Sequence, residues 1–215
     1  MKRKFALLTA LATVGSLAVV ALPAHAGAPP VNGTGGTGDC ANTGQISIKP
    51  GLVNGGTSPT VIKVKTKPPK GATAPCPGAS GDGNDVVSGS SSGSGTGTTN
   101  DCGGLAGTAT SNLVLTVKWK MSKTAANKKI APSTIGLTSQ TGGLSGDLHG
   151  TFDVTGTVTA GSFVGDVVTS HVKTDQSAAT IGAACGGKGL KKITFGVKAD
   201  KGDSILGGGD TNIHP

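Results

Sequence analysis

The residues of this chain whose types could do chemistry are few: His149 and His171 set among aspartates, four cysteines at 40, 76, 102 and 185, and scattered serines in glycine-rich surroundings. His149 is flanked by Asp147 and Asp153, and a histidine oriented by a carboxylate is the usual core of general acid–base catalysis. In an extended strand Asp147 shares a face with His149 at two residues' distance, whereas Asp153 is too far along for a direct bond. No nucleophile stands in a recognisable relation to the pair, so His149 reads as a surface histidine. Gly89-Ser90-Ser91-Ser92-Gly93 matches the letters of a nucleophile elbow, yet it sits in a Ser/Gly tract with no helix after it. Gly33 to Gly38 has the spacing of a dinucleotide loop without the strand and helix that give such a loop its function. Asp82, Asn84 and Asp85 suggest calcium, but Val86 stands where a further ligand is needed, and the chain has no glutamate for the bidentate position. Asp200, Asp203 and Asp210 read as turn residues. No catalytic, cofactor-binding or metal site is therefore expected.

The cysteines carry a stronger message. Their number is even and no two are spaced as Cys-x-x-Cys, which points to two disulfides rather than a zinc or redox motif. Three pairings are possible. Cys40–Cys76 with Cys102–Cys185 is favoured, because Cys40 precedes the first predicted strand and Cys76 follows the second, and an antiparallel pair would bring them together. Oxidation requires export, and the first 26 residues supply the signal: Lys2, Arg3 and Lys4, an apolar run from Phe5 to Leu22, and Ala24-His25-Ala26 before a cut at Gly27. The product is expected to be secreted, or held at the cell envelope by surface contacts only.

Period-two alternation dominates the rest, and no segment shows a convincing helical period. Ile46 and Ile48 share a face, as do Ile62 and Val64, with Lys63, Lys65 and Lys67 opposite. Leu113, Leu115, Val117, Trp119 and Met121 form the cleanest apolar row, and Ile135 with Leu137 and Ile193 with Phe195 continue the pattern. Trp119 is expected in the core. Leu148 to Val172 reads as a hairpin with a two-residue turn at Ala160-Gly161; this register sets Phe152 opposite Thr169, with His149 outward and His171 inward opposite Gly150. The tract from 78 to 99 is either a loop or a strand whose glycine column lets another backbone come close; the regular alternation favours an edge strand.

Composition narrows the function. All eleven acidic residues are Asp, there is no Tyr, and the only Arg is Arg3. Removing the signal leaves sixteen lysines against eleven aspartates, a charge of about +5. Nucleic-acid readers need arginine forks and aromatic platforms, and this chain has neither outside its signal, so nucleic acid is excluded as a partner. Scattered lysine permits salt-dependent attraction to an anionic cell-wall polymer or a membrane surface.

The sequences Gln45-Ile-Ser-Ile-Lys-Pro-Gly-Leu52, Thr99-Asn-Asp-Cys-Gly-Gly-Leu105, Leu115-Thr-Val-Lys-Trp-Lys120, Val158-Thr-Ala-Gly-Ser-Phe-Val-Gly165 and Gly189-Leu-Lys-Lys-Ile-Thr-Phe195 resemble those of a group of small secreted, β-rich, four-cysteine proteins of actinobacteria. The resemblance spans most of the exported chain and implies no activity and no functional residue. The expectation is a signal peptide at 1–26, a flexible tail at 27–39, one all-β domain of eight to ten antiparallel strands at 40–206, and a flexible tail at 207–215. A sandwich is preferred over a barrel. Such a domain is expected to be a non-enzymatic binding or structural protein. The alternatives are a carrier of small apolar ligands with a cavity inside a barrel and, behind it, an extracellular hydrolase built on Asp and His149.

Overall fold

A computed structural model describes residues 38–68, 86–105, 108–109, 112–122, 129–143, 149–196 and 209–214. The expected signal peptide, the tail before residue 38, Cys76, Asp82, Asn84, Asp85, Asp147, Asp200 and Asp203 lie outside the described residues.

Among the described residues ten strands and one helix follow in order: β1 Gly38–Leu52, β2 Thr60–Lys67, β3 Val86–Gly97, β4 Thr108–Ala109, β5 Val114–Met121, β6 Ser133–Gly143, β7 Thr151–Ala160, β8 Val167–Lys173, α1 Ala178–Gly186, β9 Leu190–Phe195 and β10 Gly209–His214. A 3-10 turn at Cys102–Leu105 follows β3. The alternation read from the sequence is what buries these strands. Along β5 Val117 is buried and Leu115, Trp119 and Met121 are partly so, while Val114, Thr116, Lys118 and Lys120 are exposed.

All ten strands belong to one antiparallel sheet, and its ladder returns to its start. Adjacent strands run β1, β2, β3, β5, β6, β7, β8 and β10, and β10 pairs with β1 again. β4 adds to β6, and β9 adds to β1. β10 bridges β8 to β1, whereas β9 pairs with β1 alone, end to end with β10 along it. β10 lies against Gly38 to Asn42, and β9 lies against Gly44 to Ser47 and Leu52. Following partners from Ser47 through Lys63, Ser94, Val114, Gly136, Thr157 and Val167 to His214 leads back to β1 just beyond Gly38, a stagger of about ten residues that tilts the strands as in a barrel.

Four expectations are corrected. The sheet is single and curled rather than two packed layers, so the sandwich gives way to the barrel-like alternative. Local alternation is identical in the two cases, and what separates them is the stagger between distant strands. Gly209–His214, expected as a tail, forms the strand that closes the circuit. β3 is indeed a strand, but it is central, paired to β2 and β5 on its two sides; its glycines admit close backbones, since a Cβ on Gly93 would lie 1.9 Å from the Val114 carbonyl oxygen. Finally, Ala178–Gly186 is helical. Ser177 caps it by accepting from the Thr180 amide, and only Ile181 and Cys185, one turn apart, are buried. Two buried positions in an Ala/Gly-rich segment leave almost no periodic signal, which is why the sequence did not disclose the helix.

Candidate functional site

Inward-pointing side chains of the tilted strands gather into two clusters, one toward each end of the sheet. At what we term the lower end, Leu52, Leu105, Phe152, Val172, Ile181, Leu190, Ile193 and Phe195 pack around the Cys102–Cys185 disulfide. That bridge ties the 3-10 turn to α1 across a sequence separation of 83. Backbone bonds reinforce it: the Cys102 amide donates to the Val53 carbonyl at 3.0 Å, and the Asn54 amide donates to the Cys185 carbonyl at 3.1 Å. Asn100 stitches the same end by donating to the Gly51 carbonyl and accepting from the Ser58 amide. Asp101 accepts from the Gly55 amide, a turn role.

At the upper end Cys40, Val86, Val117, Ile135, Val158, Phe163 and Val168 form the second cluster, with Trp119 against it. Here the expected two-residue turn fails. Residues 161–166 form a longer loop closed by backbone bonds between Val158 and Asp166 and between Gly165 and Val158. The loop folds Phe163 inward until it is 3% exposed, edge-on to Trp119 with ring centroids 5.4 Å apart. Phe163 does so in the left-handed region, φ +62, where a side chain is strained. Gly161, at φ +87, lies so close to Pro132 that a Cβ would fall 1.8 Å from its carbonyl oxygen. The Trp119 indole N–H donates to Ser133 Oγ at 2.8 Å, and the Ser133 hydroxyl donates to the Ser162 carbonyl at 2.6 Å, fastening β5 and β6 to the loop. Ser162 Oγ and Asp166 Oδ2 are buried without a hydrogen-bond partner, and burial pushes the Asp166 carboxyl above the usual aspartate range.

Between the two clusters lies an apolar cavity of about 170 Å³. Ile46 and Ile48 from β1, Ile62 and Val64 from β2, and Leu115, Leu137 and Val154 form much of its wall. The space exists because β3 contributes almost nothing to fill it. An irregularity between Val86 and Ser88 switches the inward row to Gly89, Ser91, Gly93 and Gly95, and of these Gly89 and Ser91 line the void. Ser91 is not left as a polar defect, because its hydroxyl and amide both bond to Thr66 Oγ1, at 2.8 and 3.0 Å. The lining given by the described residues contains Asn42, Thr66, Ser91, Gln140 and Ser170 as polar members, and no aspartate, histidine or lysine.

The chemically suggestive residues stand elsewhere and apart. The register of β7 and β8 sets Asp153 opposite His171 and Phe152 opposite Val172, three residues from the expected pairing. An odd shift exchanges the two faces of β8. His171 is therefore outward, 59% exposed, with its Nδ1 against the carboxylate of Asp153. His149 Nδ1 lies 2.9 Å from the Thr174 carbonyl oxygen on a separate part of the surface. In the nucleophile-elbow look-alike, Ser90 and Ser92 point to solvent and Ser91 is occupied with Thr66. No group of three or more metal-ligating side chains occurs among the described residues.

Of the two expected disulfides, Cys102–Cys185 is present. Cys40–Cys76 involves a residue outside the described set. No described helix is long and apolar enough to cross a membrane. No protein-family model, curated protein or solved structure matches the chain.

Proposed function

We propose that this protein is an exported, non-enzymatic binding protein that carries a small apolar molecule inside its curled sheet. The observation that carries the reading is the cavity of about 170 Å³ between two separate core clusters, walled by Ile, Leu and Val. An apolar void of roughly 150 Å³ in a protein core stays dry and accepts benzene. This one matches a ligand of roughly six to eight non-hydrogen atoms, a single ring or a short branched chain, and is smaller than the ~300–1,000 Å³ pockets that hold drug-sized molecules. With about 0.8 kcal/mol per buried carbon group, affinity falls in the region of 0.1–1 mM for a six-carbon ligand. The absence of titratable groups from the described lining supports holding over turnover.

Export and a second bridge, Cys40–Cys76, belong to the same proposal. They are supported by the basic, apolar and small-residue pattern of the first 26 residues and by the Cys102–Cys185 bridge. Val154→Phe tests the cavity. In an empty space the added ring leaves the melting temperature unchanged or higher and abolishes the thermal shift given by saturating benzene or toluene. In a filled interior it would overpack and cost about 1–3 kcal/mol; that result, with no shift by either solvent in the unmodified protein, would refute the carrier.

A further inference from the structure

The outer surface of β2, β3 and β5 is as one-sided electrostatically as the inner surface is in hydrophobicity. β2 presents Lys63, Lys65 and Lys67 to solvent, and β5 presents Lys118 and Lys120. Between them β3 presents only short hydroxyl side chains, Ser90, Ser92, Ser94 and Thr96, all exposed. The register interlocks the rows: Lys63 faces Ser94, Lys65 faces Ser92, and Ser90 faces Lys118. None of these three strands contains an acidic residue, and among the described residues none of the five lysines is ion-paired. Successive outward residues lie about 7 Å apart along a strand, and β2 and β5 are about 10 Å apart across β3. The five ammonium groups therefore form a continuous diagonal band across a floor of hydrogen-bond donors.

We infer that this band docks a linear, base-free polyanion, a chain bearing phosphate groups along its length. The inference is independent of the cavity. Charge complementarity sets the sign of the partner, and the narrow pair of lysine rows flanking a low hydroxyl floor suits an extended chain. A bilayer surface suits it less: interfacial binding draws on exposed aromatic and large apolar anchors, and on this face the exposed apolar side chains are only Val61 and Val114, beside Lys, Ser and Thr. Stacking platforms for bases are missing too, since Trp119 on β5 points inward. Each lysine engaging a phosphate releases a counterion, so affinity should fall steeply and linearly with salt on logarithmic axes.

Binding of end-labelled inorganic polyphosphate to the purified protein, followed by fluorescence anisotropy across a salt series, tests the inference. Lys65→Ser/Lys67→Ser/Lys118→Ser should weaken binding at least tenfold and lower the steepness of the salt dependence by about 2, taking ~0.7 per contact as for single strands. Lys129→Ser/Lys173→Ser/Lys188→Ser removes the same net charge from outside the three strands and should leave both quantities within twofold. Circular dichroism confirms that each variant stays folded, and the unmodified protein's own salt slope needs no variant at all. Equal loss in the two triple variants would reduce the effect to net charge and overturn the inference. So would equal binding to single-stranded DNA, capture by anionic vesicles without binding to polyphosphate, or no salt-dependent binding.

Discussion

The two ends of the curled sheet are closed by different physics. The lower end is fastened covalently: Cys102–Cys185 joins the 3-10 turn to α1 over a fully buried Ile181, and backbone and side-chain hydrogen bonds hold Val53, Asn54 and Asn100 in place. The upper end is closed by one aromatic residue in a strained backbone, Phe163, held against Trp119 and fastened through Ser133. One closure is covalent and the other stores backbone strain. The carrier proposed above would load by displacing the weaker closure, the loop 161–166.

Breaking the lower end should have the largest effect. In the chain-entropy view, a bridge closing a loop of 83 residues restricts the unfolded chain by about 4.5 kcal/mol, an upper figure. Cys102→Ser/Cys185→Ser should therefore lower the urea midpoint sharply, with the loss registering first in amide exchange of α1 and β9. At the plug the more discriminating quantity is the smaller difference between two variants. Phe163→Ala should cost about 3–5 kcal/mol through the lost ring, while Phe163→Gly should be the more stable of the two by about 1 kcal/mol, because glycine adopts positive φ without strain. Alanine being the better replacement would show that the loop is not held under strain. The smallest expected effect is electrostatic and confined to the upper end. The folded-state pKa of Asp166 lies above the unfolded value, so its desolvation penalty is fully present above the folded pKa and is relieved as pH falls toward the ordinary aspartate range. Stability measured by urea unfolding should accordingly decline modestly as pH rises through that window, and Asp166→Asn should remove the decline.

How much of this was legible in the residues depends on the range of the interaction that decides each feature. The inward row of β5 and the pairing of β1 with β2 follow from alternation alone, and so does the strand character of β3, because burial of one face is a local property. The β7–β8 register departs from the expected one for a nameable reason. Ala160-Gly161 has turn chemistry, but burying Phe163 on Trp119 outweighs the short turn and lengthens the loop. Closure through β10 depends on a stagger accumulated over eight strands, which no single segment encodes. The cavity was hidden in a negative signal: Gly89 and Ser91 look like a low-complexity tract until the sheet turns them inward, where missing side chains become space.

The most direct test of the central claim is a crystal structure of the protein under xenon pressure. The account predicts xenon bound in the interior between Ile62, Val64, Leu115 and Val154, with the Cys102–Cys185 end unchanged. An interior that takes up no xenon, with side chains packed across that space, would contradict it.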